Sequence, residues 1–160
     1  MMIKSAPAAV TCEAPGRIID LGGIGKGFAL DRLHQLLVEW GATSGLLCSG
    51  ASTILAFGPE EWPVDLTTEH DRRRILLRGR ALAASGTGIQ GSHIVHPHAE
   101  EGADSYHFPR LWVVAQDAAR GDAWSTAVML MEPAEAGQVV GAVPAVEALY
   151  VERDGKVEPV

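Results

Sequence analysis

Apolar positions recur along the chain in two rhythms. Ala29, Leu33, Leu36, Leu37 and Trp40 return at spacings of three and four, which predicts a helix with one apolar face. Gly41 follows directly and suits a left-handed cap. From Asp117 a second helical pattern sets Trp124, Ala127, Val128 and Met131 on one face. Glu132-Pro133 breaks it, and Pro133 opens a third helix to about Val143. The rest reads as short strands. These are Ile18 and Ile19, Gly45 to Cys48, Thr53 to Phe57, Trp62 to Leu66, Arg74 to Arg78, Ala81 to Ala84, Gly91 to Val95, Leu111 to Ala115, Val146 to Glu152 and Lys156 to Val160. Gly79-Arg80 and Asp154-Gly155 are the expected hairpin turns. Met1 to Gly16 has no strong period, so residues 1–17 are expected to be a flexible segment of a single domain spanning 1–160. Strand, helix, several strands, two helices and a strand pair make an α+β layout, with mixed or antiparallel sheets and packed helices.

The richest stretch runs from Asp20 to Asp31, Asp-Leu-Gly-Gly-Ile-Gly-Lys-Gly-Phe-Ala-Leu-Asp. Its glycines stand where the strand at Ile18-Ile19 should pass into the first helix. Glycine there permits close approach of the backbone to a ligand. A helix start attracts anions, and Lys26 adds a full positive charge. The pattern is neither a Walker loop nor a dinucleotide fingerprint: Asp20 stands where a Walker glycine would, and Gly23, Gly25 and Gly27 are evenly spaced. Anion binding and a tight structural turn both remain open from the loop alone.

Composition narrows the function classes. A chain of 160 residues, 47% hydrophobic and 21% charged, is long enough to bury a core of its own. A net charge of −7 argues against nonspecific nucleic-acid binding. Arg72-Arg73-Arg74 is the one basic cluster, and with Glu69 and Asp71 beside it a solvated strand edge is expected. No apolar run is long enough to span a membrane. Cys12 and Cys48 match no metal or redox spacing, and Met1 to Cys12 is too short and too weakly apolar for a signal peptide. A cytoplasmic location is the expectation.

Two side-chain groups could carry chemistry. Asp122 and Thr126 lie four apart on the second helix and share a face, and their oxygens are hard ligands suited to magnesium. Taken alone, Asp122 is more often a helix cap. The second group is His93, His96, His98 and His107 with Glu100, Glu101 and Asp104, which could hold a transition metal but reads more plainly as surface histidines on a loop.

Ile19 to Arg32 closely resembles a signature stretch of the FAD:protein FMN transferases, the ApbE-like family. Gly121-Asp122-Ala123-Trp124-Ser125-Thr126-Ala127 resembles that family's second signature, and Ala84-Ser85-Gly86 followed by Ser92-His93-Ile94-Val95-His96-Pro97 resembles a third. The likeness covers nearly the whole chain from Ile19 onward. Two positions depart from it. His96 stands where an aspartate is usual, and Gly50-Ala51-Ser52 replaces a Gly-Gly-Asp.

The resemblance implies an ApbE-like, T-fold-like core and a magnesium-dependent reaction. FAD is split at its pyrophosphate and FMN is attached to a threonine or serine of a target flavoprotein. It implies metal ligation by Asp122, Thr126 and the Gly25 carbonyl. It implies cofactor contacts from Gly22, Gly23, Gly25, Lys26, Gly27, Asp31, Ser85, Gly86 and His93, with His93 and Lys26 in catalytic roles and Asp31 supporting loop geometry. Family members are longer, with an amino-terminal half ahead of the glycine stretch. Only eighteen residues precede Ile19 here, so a short form is expected, completed by a second copy or a partner subunit. A flavin- or nucleotide-binding module without turnover is the alternative, and a structural relic that has lost its ligand is a third reading.

Overall fold

The computed structural model describes residues 2–5, 8–11, 15–16, 18–87, 94 and 106–160. In chain order the elements are β1 (Met2–Ser5), β2 (Ala8–Thr11), α1 (Gly25–Glu39), β3 (Gly45–Ser49), β4 (Thr53–Phe57), β5 (Trp62–Thr67), β6 (Arg72–Leu77), β7 (Ala81–Gly86), β8 (Arg110–Ala115), α2 (Ala118–Val128), α3 (Pro133–Ala142), β9 (Val146–Arg153) and β10 (Lys156–Pro159).

Six strands form an antiparallel sheet in the order β10-β9-β8-β7-β4-β3. Its centre is β8, a continuous apolar run because both of its faces are covered. Leu111, Val113 and Ala115 point to the helices and join Val128, Met129, Ala136, Val139, Leu149 and Val151 in one core. Trp112 points the other way, into a second core with Val64, Leu66, Leu77 and Leu82. That second core lies beneath a separate two-stranded sheet of β5 and β6. The result is three layers: helices, the six-stranded sheet, and a hairpin. The α+β expectation holds, with every described strand pair antiparallel.

Most expected elements stand within a residue or two of their expected bounds, and four local readings change. Arg74–Arg78 and Ala81–Ala84 do not pair across Gly79-Arg80. Instead β6 returns on β5, and β7 enters the large sheet between β4 and β8. Turn residues mark a reversal but not the partner, and here the chain changes layer at the turn. Met2–Ser5 and Ala8–Thr11, which lack a sequence period, pair antiparallel as β1 and β2. Ile18 and Ile19 are not in a strand, and Ile18 is 94% exposed. With no sheet edge beside it, an apolar dipeptide has nothing to pair with. The expected strand over Gly91–Val95 falls outside the described residues except for Ile94.

The fourth change concerns α1. The face expected to be buried is the outer one: Leu33 is 42% exposed, Leu36 41% and Trp40 78%. Gly27 and Leu30 are the buried residues of this helix. At about 100° per residue the mean direction of Gly27 and Leu30 is turned by about 120° from that of Ala29, Leu33, Leu36 and Trp40.

Candidate functional site

The site grows from the way α1 and α2 meet. Gly27 of α1 comes so close to α2 that a Cβ built on it would stand 2.1 Å from the Ala118 carbonyl oxygen. Only glycine allows this approach. The helices run in opposite directions, so Gly23 lies against Thr126, with its built Cβ 3.2 Å from Thr126 Oγ1. The evenly spaced glycines 23 and 27 therefore form a flat track along which the second helix lies.

Each helix gives a carboxylate to the start of the other. Asp31 of α1 accepts from the Ala118 and Ala119 amides at 2.9 and 2.8 Å, and Asp117 accepts from Arg120 N at 2.8 Å. With Gly121 N bonded to the Asp117 carbonyl, the first four amides of α2 all have partners. In return Asp122 of α2 reaches the first turn of α1, where its Oδ2 accepts from Gly27 N at 3.1 Å. A carboxylate placed so is favoured by both the amide and the helix dipole.

Asp122 is the centre of the arrangement. It is 2% exposed, and a buried carboxylate needs a full set of partners. Its Oδ1 accepts from Thr53 Oγ1 at 3.2 Å and faces Lys26 Nζ at 3.3 Å. Lys26 Nζ also donates to the Gly22 carbonyl at 3.2 Å, closing a ring from the glycine turn through the lysine to Asp122. The turn itself is built locally. Gly22 N donates to Asp20 Oδ1 at 2.7 Å, and the Ile24 and Gly25 amides both donate to the Leu21 carbonyl.

The hydroxyls are ordered too. Thr126 Oγ1 donates to the Asp122 carbonyl at 3.1 Å, one helical turn back. Ser85, at the end of β7, donates to Ser125 Oγ at 2.9 Å, and Ser125 donates to the same Asp122 carbonyl at 2.9 Å. Gly86 lets β7 and β8 approach closely: a Cβ there would stand 2.9 Å from the Pro109 carbonyl oxygen. Lys26 and Gly27 thus meet Asp122, Gly22 joins through Lys26 and Gly23 lies against Thr126, while Gly25 belongs to the same turn through its bond to Leu21, with Ser85 and Gly86 at the adjoining strand end. Asp31 stands one turn further along α1 and holds α2 in place.

Thr53 and Ser125 belong to the same hydrogen-bond network and were not singled out by sequence reasoning. Both are fully buried. Thr53 follows the Gly50-Ala51-Ser52 turn, and Ser125 stands three residues after Asp122. Neither spacing announces that Thr53, from a strand 69 residues away, bonds the carboxylate.

His93, His96, His98, Glu100, Glu101 and Asp104 lie outside the described residues. His107 faces Glu132 with Nε2 3.3 Å from Oε1. Among the described residues no three His, Cys, Asp or Glu side chains cluster as a metal site. The basic run lies exposed on β6, one of the two strands of the small sheet, in keeping with the solvated strand edge expected: Arg72 and Arg74 both pair with Asp65, and Arg73 lies 5.3 Å from the Tyr150 ring centre.

A family model described as the ApbE family matches residues 2–150. The chain belongs to the ApbE family. Its curated relatives include FAD:protein FMN transferases from Klebsiella pneumoniae (strain 342), 24% identical over 144 residues, and from Escherichia coli (strain K12), 25% identical over the same length. Each alignment takes in 80% of this chain and 41% of the relative. Among solved structures, the ApbE protein of Thermotoga maritima superposes with a TM-score of 0.73 at 26% identity, covering 88% of this chain and 50% of that one. The flavinyl transferase ApbE of Pseudomonas stutzeri, in its apo form, gives 0.72 at 22%, covering 88% and 48%. The ApbE fold is shared, and the chain spans about half the length of the relatives it matches.

Proposed function

We propose that this ApbE-family chain carries the diphosphate-binding and phosphoryl-transfer part of a magnesium-dependent FAD:protein FMN transferase. The reading rests on one observation above all: a buried carboxylate, Asp122, tied to the glycine turn through the Gly27 amide and the Lys26 ammonium. The names of the curated relatives support the same activity.

The donor set suits magnesium. Asp122 supplies a carboxylate, Thr126 a hydroxyl and Gly25 a backbone carbonyl, all hard oxygens. The carboxylate already holds a cation, the Lys26 ammonium, so positive charge is favoured there. Magnesium held by these groups would neutralise the diphosphate and the phosphate of the departing AMP. The protein's own groups do the rest. Gly23 and Gly27 hold α1 against α2, so that Asp122, Thr126 and the Gly25 carbonyl keep one geometry. Asp31 fixes the start of α2. Lys26, with a 41% exposed side chain, would face the phosphates. Ser85 and Gly86 line the adjoining wall.

In the transfer itself, the hydroxyl oxygen of a target threonine or serine bonds to the FMN phosphorus. The bond from that phosphorus to the bridging oxygen breaks, and AMP leaves with the electron pair. The hydroxyl proton passes to a base, for which His93 is the proposed group.

A second reading has its own support. Leu21, Phe28, Leu36 and Trp40 are 62, 58, 41 and 78% exposed, an apolar surface that a second copy or another subunit would cover. Flavin would then bind in a pocket completed by that partner, or be held without turnover. The distinguishing assay is release of AMP from FAD in the presence of magnesium, with a target flavoprotein supplied. Turnover that is lost in Asp122→Ala supports the transferase. Saturable flavin binding without AMP supports the binding module.

A further inference from the structure

We propose that Lys26 is the resident counter-cation of Asp122, that a divalent cation displaces it, and that the freed ammonium then becomes available to an anionic ligand. The inference rests on the metal reading above and adds a competition and a coupling to it.

The geometry carries it. Lys26 Nζ lies between two oxygens, 3.3 Å from Asp122 Oδ1 and 3.2 Å from the Gly22 carbonyl. Asp122 Oδ2 is taken by the Gly27 amide, and Oδ1 already accepts from Thr53. A magnesium-sized ion bonding Oδ1 needs an oxygen at about 2.0–2.1 Å. It would meet the ammonium directly on the same oxygen. Two cations repel at that range, more strongly beside a buried group than in water. Thr53 and Gly27 are fixed by β4 and by the helix backbone, whereas the lysine side chain is 41% exposed and free to swing out. The lysine is therefore the ligand that leaves.

Two consequences follow. Without metal, Lys26 keeps the buried carboxylate balanced and the site assembled. With metal, the lysine charge is released at the mouth of the glycine turn, where a phosphate can take it. Metal and anion then favour one another, and the effect is reciprocal.

The test is titration of the purified chain with Mn2+, without flavin, followed by calorimetry or electron paramagnetic resonance. Lys26→Met removes the competitor and is expected to bind Mn2+ about tenfold more tightly than the unaltered chain. Lys26→Arg keeps the charge and is expected to bind no more tightly. ADP, used as a diphosphate probe, should strengthen Mn2+ binding to the unaltered chain more than to Lys26→Met. Equal or weaker Mn2+ binding in Lys26→Met, with binding still lost in Asp122→Asn, overturns the competition and leaves the metal reading standing. Binding that persists unchanged in Asp122→Asn, or is absent from every variant, overturns both.

Discussion

At the scale of single residues, Asp122 and Asp31 explain why two helices of unremarkable composition meet so closely. Each carboxylate satisfies amides at the start of the opposite helix, and Gly27 removes the side chain that would hold them apart. Gly27→Ala should destabilise the fold by about 1–3 kcal/mol or more, because the obstructing atoms are backbone. Gly137→Ala on α3 meets only ordinary contact and should stabilise by about 0.5–1 kcal/mol. Chemical denaturation of both variants checks the contrast. Asp122→Ala leaves Thr53 Oγ1 and Gly27 N without their acceptor, at a cost of about 1–3 kcal/mol. AMP release should fall about 100-fold or more in that variant, on the scale of losing a transition-state contact. The sequence made Asp122, Thr126 and the glycines legible because their short spacings survive in one dimension. Thr53 was not legible, since its contact is made only when β4 folds beneath α2.

At the scale of elements, α1 shows how periodicity can be right about a helix and silent about its partner. Spacing located the carboxyl-terminal end of the helix within a residue, while the helix starts at Gly25, four residues ahead of the first periodic position, and the richest apolar face is the outer one. The inner face is chosen by close approach at Gly27 and by Asp31, not by hydrophobic content. The proposed self-association through the outer face has a direct test: Leu36→Lys with Trp40→Lys should lower the mass seen by light scattering, and a monomer at high concentration in the unaltered chain contradicts it. The β5–β6 hairpin gives a different expectation. The Arg74 and then Arg72 guanidinium groups hold the Asp65 carboxyl well below the ordinary carboxylate range. The Val157 and Arg72 amides lower Asp71. Both folded values lie below the unfolded ones, so their stabilisation is complete above about pH 4 and is lost as pH falls below it. Denaturation midpoints should therefore drop below pH 4, and Asp65→Asn should flatten that drop.

At the scale of the whole molecule, three layers place the glycine turn and Asp122 at the junction of α1, α2 and β4, one carboxylate serving all three. The α+β class and most strand positions were legible from alternation and turns. The layer change after Gly79 was not, because a turn does not name the strand that its chain will join. Asp122 joins the helices, and its second, proposed use is to hold the cation for a diphosphate. The second is tested most directly by isothermal titration of the folded chain with FAD, with and without magnesium. Saturable heat that requires magnesium and disappears in Asp122→Asn is the expected result. Binding indifferent to magnesium and to Asp122, or no heat from a folded chain under either condition, would contradict it.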